Sequence, residues 1–232
     1  MSITRVGTGT FTNTFNATNT PAISGTPNAN DLLVWITDEY MGSNTITTPS
    51  GWTRLGEGTA HQVAILVKDA VGVGSDTIPG VNWGNQEQNG IVLTLRGTQP
   101  AASVLDVTGV RVAVTNANLV GPAGSLTPTQ DGDYVLFIGV RNKTSATNSN
   151  TLSAPTNFTM VAQQNSYTNN GPSVGICEWI QTTATVIPAN LAMSGTPNTD
   201  ASNQSMQGVV IAFKAAAAAV ITPTRSLLGV GT

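Results

Sequence analysis

Chemistry has few places to start in this chain. Among 232 residues there is one histidine, His61, and one cysteine, Cys177. Covalent catalysis needs a nucleophile, a base within hydrogen-bond reach and a third group to orient the base. His61 opens the apolar stretch "HQVAILVKDA" with no HxH or HxxxE neighbour, so it reads as a histidine at a strand edge or loop. Cys177 sits inside "VGICEW", where a thiol behaves as a small, inert, buried hydrophobe. A lone cysteine rules out an intramolecular disulfide and a cysteine zinc site. The twelve Asp and Glu residues are scattered, whereas glycoside hydrolysis needs two carboxylates facing one cleft. Asp38 and Glu39 are adjacent at a strand end and face opposite sides. "DGD" at 131–133 is the one stretch resembling a calcium loop. Its counterpart earlier in the chain, "AND" at 29–31, keeps only the last Asp, so a turn entering a strand is the preferred reading. "VGVGSD" at 71–76 lacks the Lys of a phosphate loop and reads as a plain loop. The expectation is a protein that is no enzyme, with no cofactor and no metal.

The elements that carry these residues read as strands. Short runs rich in Val, Ile and Leu are separated by clusters of Gly, Pro, Asn and Asp, the pattern of an all-β chain. Strands are expected at Asp31–Thr37, Gly51–Leu55, His61–Ala70, Gly90–Gly97 and Val104–Val114. A second set is expected at Asp133–Arg141, Asn157–Gln164, Ser173–Gln181, Thr185–Ala189 and Gln207–Ala215. Val63, Ile65 and Val67 alternate with other residues, as do Val174 and Ile176; a period of two gives one buried face. "KAAAAAV" has helix propensity but is too short to hold a helix alone.

One phrase occurs twice. "PSGWT" at 49–53 is matched by "PTNFT" at 155–159. Around it, Asp31-Leu32-Leu33-Val34-Trp35-Ile36 matches Asp133-Tyr134-Val135-Leu136-Phe137-Ile138. Val63 and Ile65 match Val174 and Ile176, and Gly90 through Arg96 matches Gly208 through Lys214. The order is kept and the gaps differ in loop-like stretches. Two copies are too few for a solenoid or propeller, so a sandwich of two related halves is expected. The Gly or Asn two residues after Pro supplies a turn position tolerant of positive φ. The aromatic that follows plugs the core. Trp35, Trp52, Phe137 and Phe158 are accordingly expected as core aromatics; the rival is a sugar-stacking platform.

Composition narrows the partners. Charged residues are 9% of the chain, against ~25% in ordinary globular proteins. Net charge is −3 with no basic block, which removes the electrostatic footprint of a nucleic-acid binder. No apolar run approaches the ~18 residues that span a bilayer, and the first twenty residues hold no apolar signal core. Synthesis in the cytoplasm is the expectation.

The repeated pattern of an Asp-led apolar strand, PSGWT, an alternating strand and a Gly-led strand ending in a basic residue resembles a family of small β-sandwich structural proteins. These occur among the virion proteins of tailed bacteriophages. The resemblance spans about residues 14–215. It implies a jelly-roll-like antiparallel β-sandwich and a place in the virion, on the head as decoration or cement or on the tail. It carries over no catalytic residues. The expected layout is an N-terminal strand or arm at 1–13, a duplicated sandwich at 14–216 with halves at about 14–103 and 115–215, and a C-terminal arm at 217–232. In that arm Ile221, Leu227, Leu228 and Val230 are apolar with no place in the repeat, and an exposed apolar arm invites docking on a neighbouring subunit. The expected partners are copies of the same chain and other virion proteins, with no nucleic acid and no membrane. A host surface glycan is the partner in the alternative reading, an adhesion module at a fibre tip.

Overall fold

The computed structural model describes residues 2–15, 17–39, 46–57, 63–82, 84, 87–114, 119–141, 152–164, 173–195 and 205–217. The described elements are all strands: β1 (Thr4–Thr8), β2 (Thr12–Phe15), β3 (Leu32–Glu39), β4 (Thr53–Glu57), β5 (Val63–Asp69), β6 (Glu87–Arg96), β7 (Leu105–Val114), β8 (Leu119–Gly121), β9 (Tyr134–Arg141), β10 (Leu152–Ser153), β11 (Thr159–Gln164), β12 (Ser173–Ile180), β13 (Leu191–Gly195) and β14 (Ser205–Phe213). They form an antiparallel β-sandwich. One sheet has the order β1-β6-β3-β5-β4, with β2 also on β6. The other has the order β11-β12-β9-β14-β7, and a small sheet, β10-β13-β8, lies apart. The strands that the sequence repeat matches hold matching places. β3 and β9 are central, β6 and β14 flank them on one side, and β5 and β12 on the other.

The period of two sorts the side chains. Leu32, Val34 and Ile36 of β3 join Tyr134, Leu136 and Ile138 of β9 in one core between the sheets. The other face of each sheet is also covered. Leu33 and Trp35 pack under Ile46, Trp52, Ile78 and Val81. Val135 and Phe137 pack under Val120, Leu152, Phe158, Ile187 and Met193. This differs from the half-buried strands that alternation alone suggests. Each sheet is apolar on both faces because connecting segments roof its outside, which is why β5 and β12 both begin with five consecutive buried residues.

Two kinds of residue make the roofing feasible. Gly51 (φ 80°) and Asn157 (φ 71°) adopt the left-handed conformation. The turns close through Trp52 N–H to Pro49 O at 3.1 Å and Phe158 N–H to Pro155 O at 3.0 Å. Gly and Asn are the residues that tolerate this backbone. Each turn then drops its aromatic onto the sheet: Trp52 meets Trp35 edge-on at 5.5 Å, and Phe158 meets Phe137 edge-on at 6.3 Å. The second device is the glycine that opens the repeated stretch within β6 and within β14. A Cβ on Gly90 would lie 2.3 Å from Asn19 Oδ1, and one on Gly208 would lie 2.3 Å from Val120 O. At both places an overlying segment crosses the sheet too closely for any side chain.

The stretch 185–189 is not a strand. Ile187 makes an isolated bridge with Leu126, and Pro188 has no N–H with which to extend it. After Lys214, Ala215 bridges Thr98.

Candidate functional site

The charged side chains that the fold brings together lie at one end of the sandwich, called the base here. β3 and β9 start there, β6 and β14 end there, and the last described residues, 214–217, lie there. The base is locked by backbone bonds. Gln99 N–H donates to Lys214 O at 2.9 Å, Lys214 N–H to Val104 O at 2.7 Å and Ala216 N–H to Gly97 O at 2.7 Å.

Besides the Lys68–Asp76 ion pair of the loop after β5, three groups of charged side chains are built at the base. In the first, Asp31 receives both arms of Arg96, at 2.9 and 2.7 Å, and the Asn28 N–H at 2.7 Å. In the second, Arg5 of β1 reaches across to the other sheet and grips Glu178 with Nε at 2.7 Å and Nη2 at 2.9 Å. The Tyr134 hydroxyl donates to the same carboxylate. Burial alone would raise Glu178, but the Arg5 and Tyr134 hydrogen bonds outweigh it and hold the carboxyl below its usual range. Burial and the Glu178 hydrogen bond push the Tyr134 hydroxyl well up, so Tyr134 remains a donor at any physiological pH.

The third group is a pair of buried carboxyls. Asp133 is fully buried, and neither of its oxygens has a donor in hydrogen-bonding geometry. Its neighbour is Asp106 of β7, whose carboxylate opposes its charge. The Asp106 side chain is also buried, with Lys214 Nζ at 3.8 Å, and it accepts from the N–H and hydroxyl of Thr129. Burial, reinforced by the Asp106 carboxylate, pushes Asp133 up to about 7. Burial also opposes the charge on Asp106, yet the Thr129 bonds hold it below the usual range.

The sequence-predicted site residues are distributed as follows. Trp35, Trp52, Phe137 and Phe158 are all buried. Trp179 packs on Phe158 at 5.6 Å. Ile221, Leu227, Leu228 and Val230 lie outside the described residues, as do His61 and Trp83. Cys177 is buried, and burial pushes its thiol up to about 12, leaving almost no thiolate at neutral pH. In "DGD", Asp131 accepts from Ala184 N–H at 2.7 Å, Gly132 takes a positive φ of 87° and Asp133 turns inward. In "VGVGSD", Asp76 ties the loop by accepting from Val71 and Gly72 N–H and from Lys68. Among the described residues no three His, Cys, Asp or Glu side chains are arranged to hold a metal ion. Two shallow pockets of about 270 and 230 Å³ are lined by Ile46, Thr47, Gly80, Val81 and Asn82 and by Ile23, Gly25, Pro27, Gly74 and Asp76. The one titratable group among these linings, Asp76, is already engaged by the loop.

The Asp106–Asp133 pair and the Arg5–Glu178–Tyr134 group are not apparent from the sequence, because their members are 27 to 173 positions apart. The Asp31–Arg96 pair did leave a signal. The repeat puts an acid at the start of one central strand and a base at the end of its neighbour, in both copies.

Among the described residues five large apolar side chains are exposed: Phe15, Val71, Val73, Ile180 and Val186. Val71 and Val73, in the connection after β5, are 62% and 64% exposed, and Ile180, at the end of β12, is 42% exposed. Among the described residues no helix is long and apolar enough to cross a membrane. Comparison with protein-family models, with curated proteins and with solved structures gives no match.

Proposed function

We propose that this chain is a non-enzymatic structural protein of a tailed-phage particle, attached to the particle surface as a decoration, cement or tail-associated subunit. The observation that carries the reading is the base. The last described residues, Ala216–Ala217, lie at this end, where β12 finishes in exposed Ile180 and β5 is followed by exposed Val71 and Val73. One end of a rigid block thus offers apolar contact area together with the root of an apolar segment, the arrangement an attached subunit needs. The remainder of the block suits load-bearing. Its sheets are paired strand to strand, its two faces are roofed, and Arg5 ties one sheet to the other across the core edge.

In this reading the C-terminal arm grips a neighbouring subunit while the sandwich projects or bridges. Trp35 and Trp52 face each other in the interior and offer a glycan no stacking surface; Phe15 is the exposed aromatic among the described residues. The test is to purify particles to homogeneity and measure the protein by mass spectrometry and immunogold microscopy. Many copies per particle at fixed positions are expected. Absence from particles, with the epitope shown to be accessible, overturns the proposal.

A further inference from the structure

At matching places in the two halves, Asp31 and Asp133 each precede the central strand of a sheet. Asp31 meets its cation: Arg96 binds it with both arms. Lys214 occupies the place of Arg96 but lies 3.8 Å from Asp106, a second carboxylate that the first half does not supply. Asp133 therefore faces a carboxyl instead of a cation. Ionised carboxylates only accept hydrogen bonds. Asp133 is fully buried with no donor to either oxygen, and a second buried carboxylate beside it adds like charge, so the pair is favoured when one of the two holds a proton. The other charged groups at the base are engaged elsewhere. Arg96 is on Asp31, Arg5 is on Glu178, Asp69 accepts from Ala101 N–H and Asp131 accepts from Ala184 N–H. The Gln130 amide and the Ala215 N–H lie close to Asp133 and favour its charged form, but burial and Asp106 outweigh them.

The pair also touches a mechanically important point. Gln99 and Gln130 both donate side-chain amide N–H to Ala215 O, at 3.3 and 3.0 Å. With the backbone bonds of Lys214 and Ala216, they fasten the last described segment between the β6–β7 connection and the turn before β9.

We propose that Asp106 and Asp133 form a proton-holding pair that latches Lys214–Ala216 onto the base, and that loss of the proton loosens this segment. Release of the C-terminal arm as a consequence rests on the attachment reading; the latch itself does not.

The sign follows from linkage. A carboxyl whose proton is held more tightly in the closed state stabilises that state fully at pH values below its ordinary range. The contribution declines as pH rises and is gone above about 7. Over that span, opening grows by up to about tenfold per pH unit.

The experiment is amide hydrogen exchange on the isolated full chain from pH 4.5 to 8, corrected for intrinsic exchange, read at Gln99, Lys214 and Ala216. Wild type is expected to lose protection as pH rises to 7 and then level off. Asp133→Asn, which keeps the shape without the charge, is expected to stay protected throughout. Protection in wild type that does not change with pH, or an Asp133→Asn variant that follows wild type, overturns the proposal. Should that variant not fold, a carbon-detected NMR titration of the wild-type Asp carboxyls decides it. One group should titrate near 7, and ionisation of every carboxyl by pH 5 overturns the latch. Both measurements use the protein alone, so a failure to find it on particles leaves this result untouched.

Discussion

At the scale of residues, the two aromatic contacts show what the repeated phrase is for. Trp52 on Trp35 and Phe158 on Phe137 are the same edge-on contact made with different rings. The second half already makes it with phenylalanine, so Trp52→Phe should cost only about 1 kcal/mol, a tolerated large-to-smaller aromatic swap. Trp35→Ala should cost about 3–5 kcal/mol, because it leaves a cavity under a fixed roof. Urea unfolding of both variants checks the contrast. Arg5→Met tests the tie between the sheets. It leaves the Glu178 carboxylate largely buried without its cation, and the expected loss at pH 7 is about 2 kcal/mol. That is less than for a fully buried pair, because Arg5 is partly exposed. Glu178 is held below its usual range in the native state, so its contribution is present above that range and disappears as pH falls through it. The gap between wild type and Arg5→Met should therefore shrink below pH 4. An undiminished gap at pH 3 would show that Arg5 acts through packing alone. The aromatics were legible in the sequence because local spacing placed them. Arg5 with Glu178 was not, since that pair is set by how the sheets stack; nor was Asp106 with Asp133, which strand order within one sheet sets, and no local pattern encodes either.

At the scale of elements, the central strands were readable from their apolar alternation, and their boundaries shift by a few residues. β10, β13 and β8 were not readable. They are two to five residues long, and their sequences carry no alternation, because they are roofing whose position is fixed by the sheet beneath. The glycines at 90 and 208 explain another part of the repeat. A glycine inside a strand usually weakens it, yet here each lies under a crossing chain. Gly208→Ala should cost about 3 kcal/mol or more, since the added carbon meets the backbone of Val120–Gly121 and backbone cannot move aside as a side chain can. Gly124→Ala, with open space around it, is the control and should be close to neutral. Equal melting temperatures for the two variants would show that the crossing is not tight in solution.

For the whole molecule, the fold class was legible and the location of the charged end was not. Composition and turn spacing specify a sandwich. Which strand ends gather the few acids and bases depends on strand order, and β14 inserts between β9 and β7 from the far end of the chain. Under the attachment reading, a chain ending at Ala216 should fold with an unchanged melting temperature but lose its place on particles. If it occupies particles as well as the full chain does, the arm is not the anchor.

The arrangement of one sheet per continuous stretch also sets a clock on biosynthesis. The first sheet is complete once Arg96 is made, but the partner for its inner face waits for β14, which ends at Phe213. At about 5–20 residues per second, a ribosome needs roughly 6–25 seconds to cover that distance. For that interval a finished, hydrogen-bonded sheet stands with one greasy side uncovered. Nascent chains stalled just past residue 140 should bind a hydrophobic dye and recruit holdase chaperones, and chains stalled well past residue 232 on a linker should do neither.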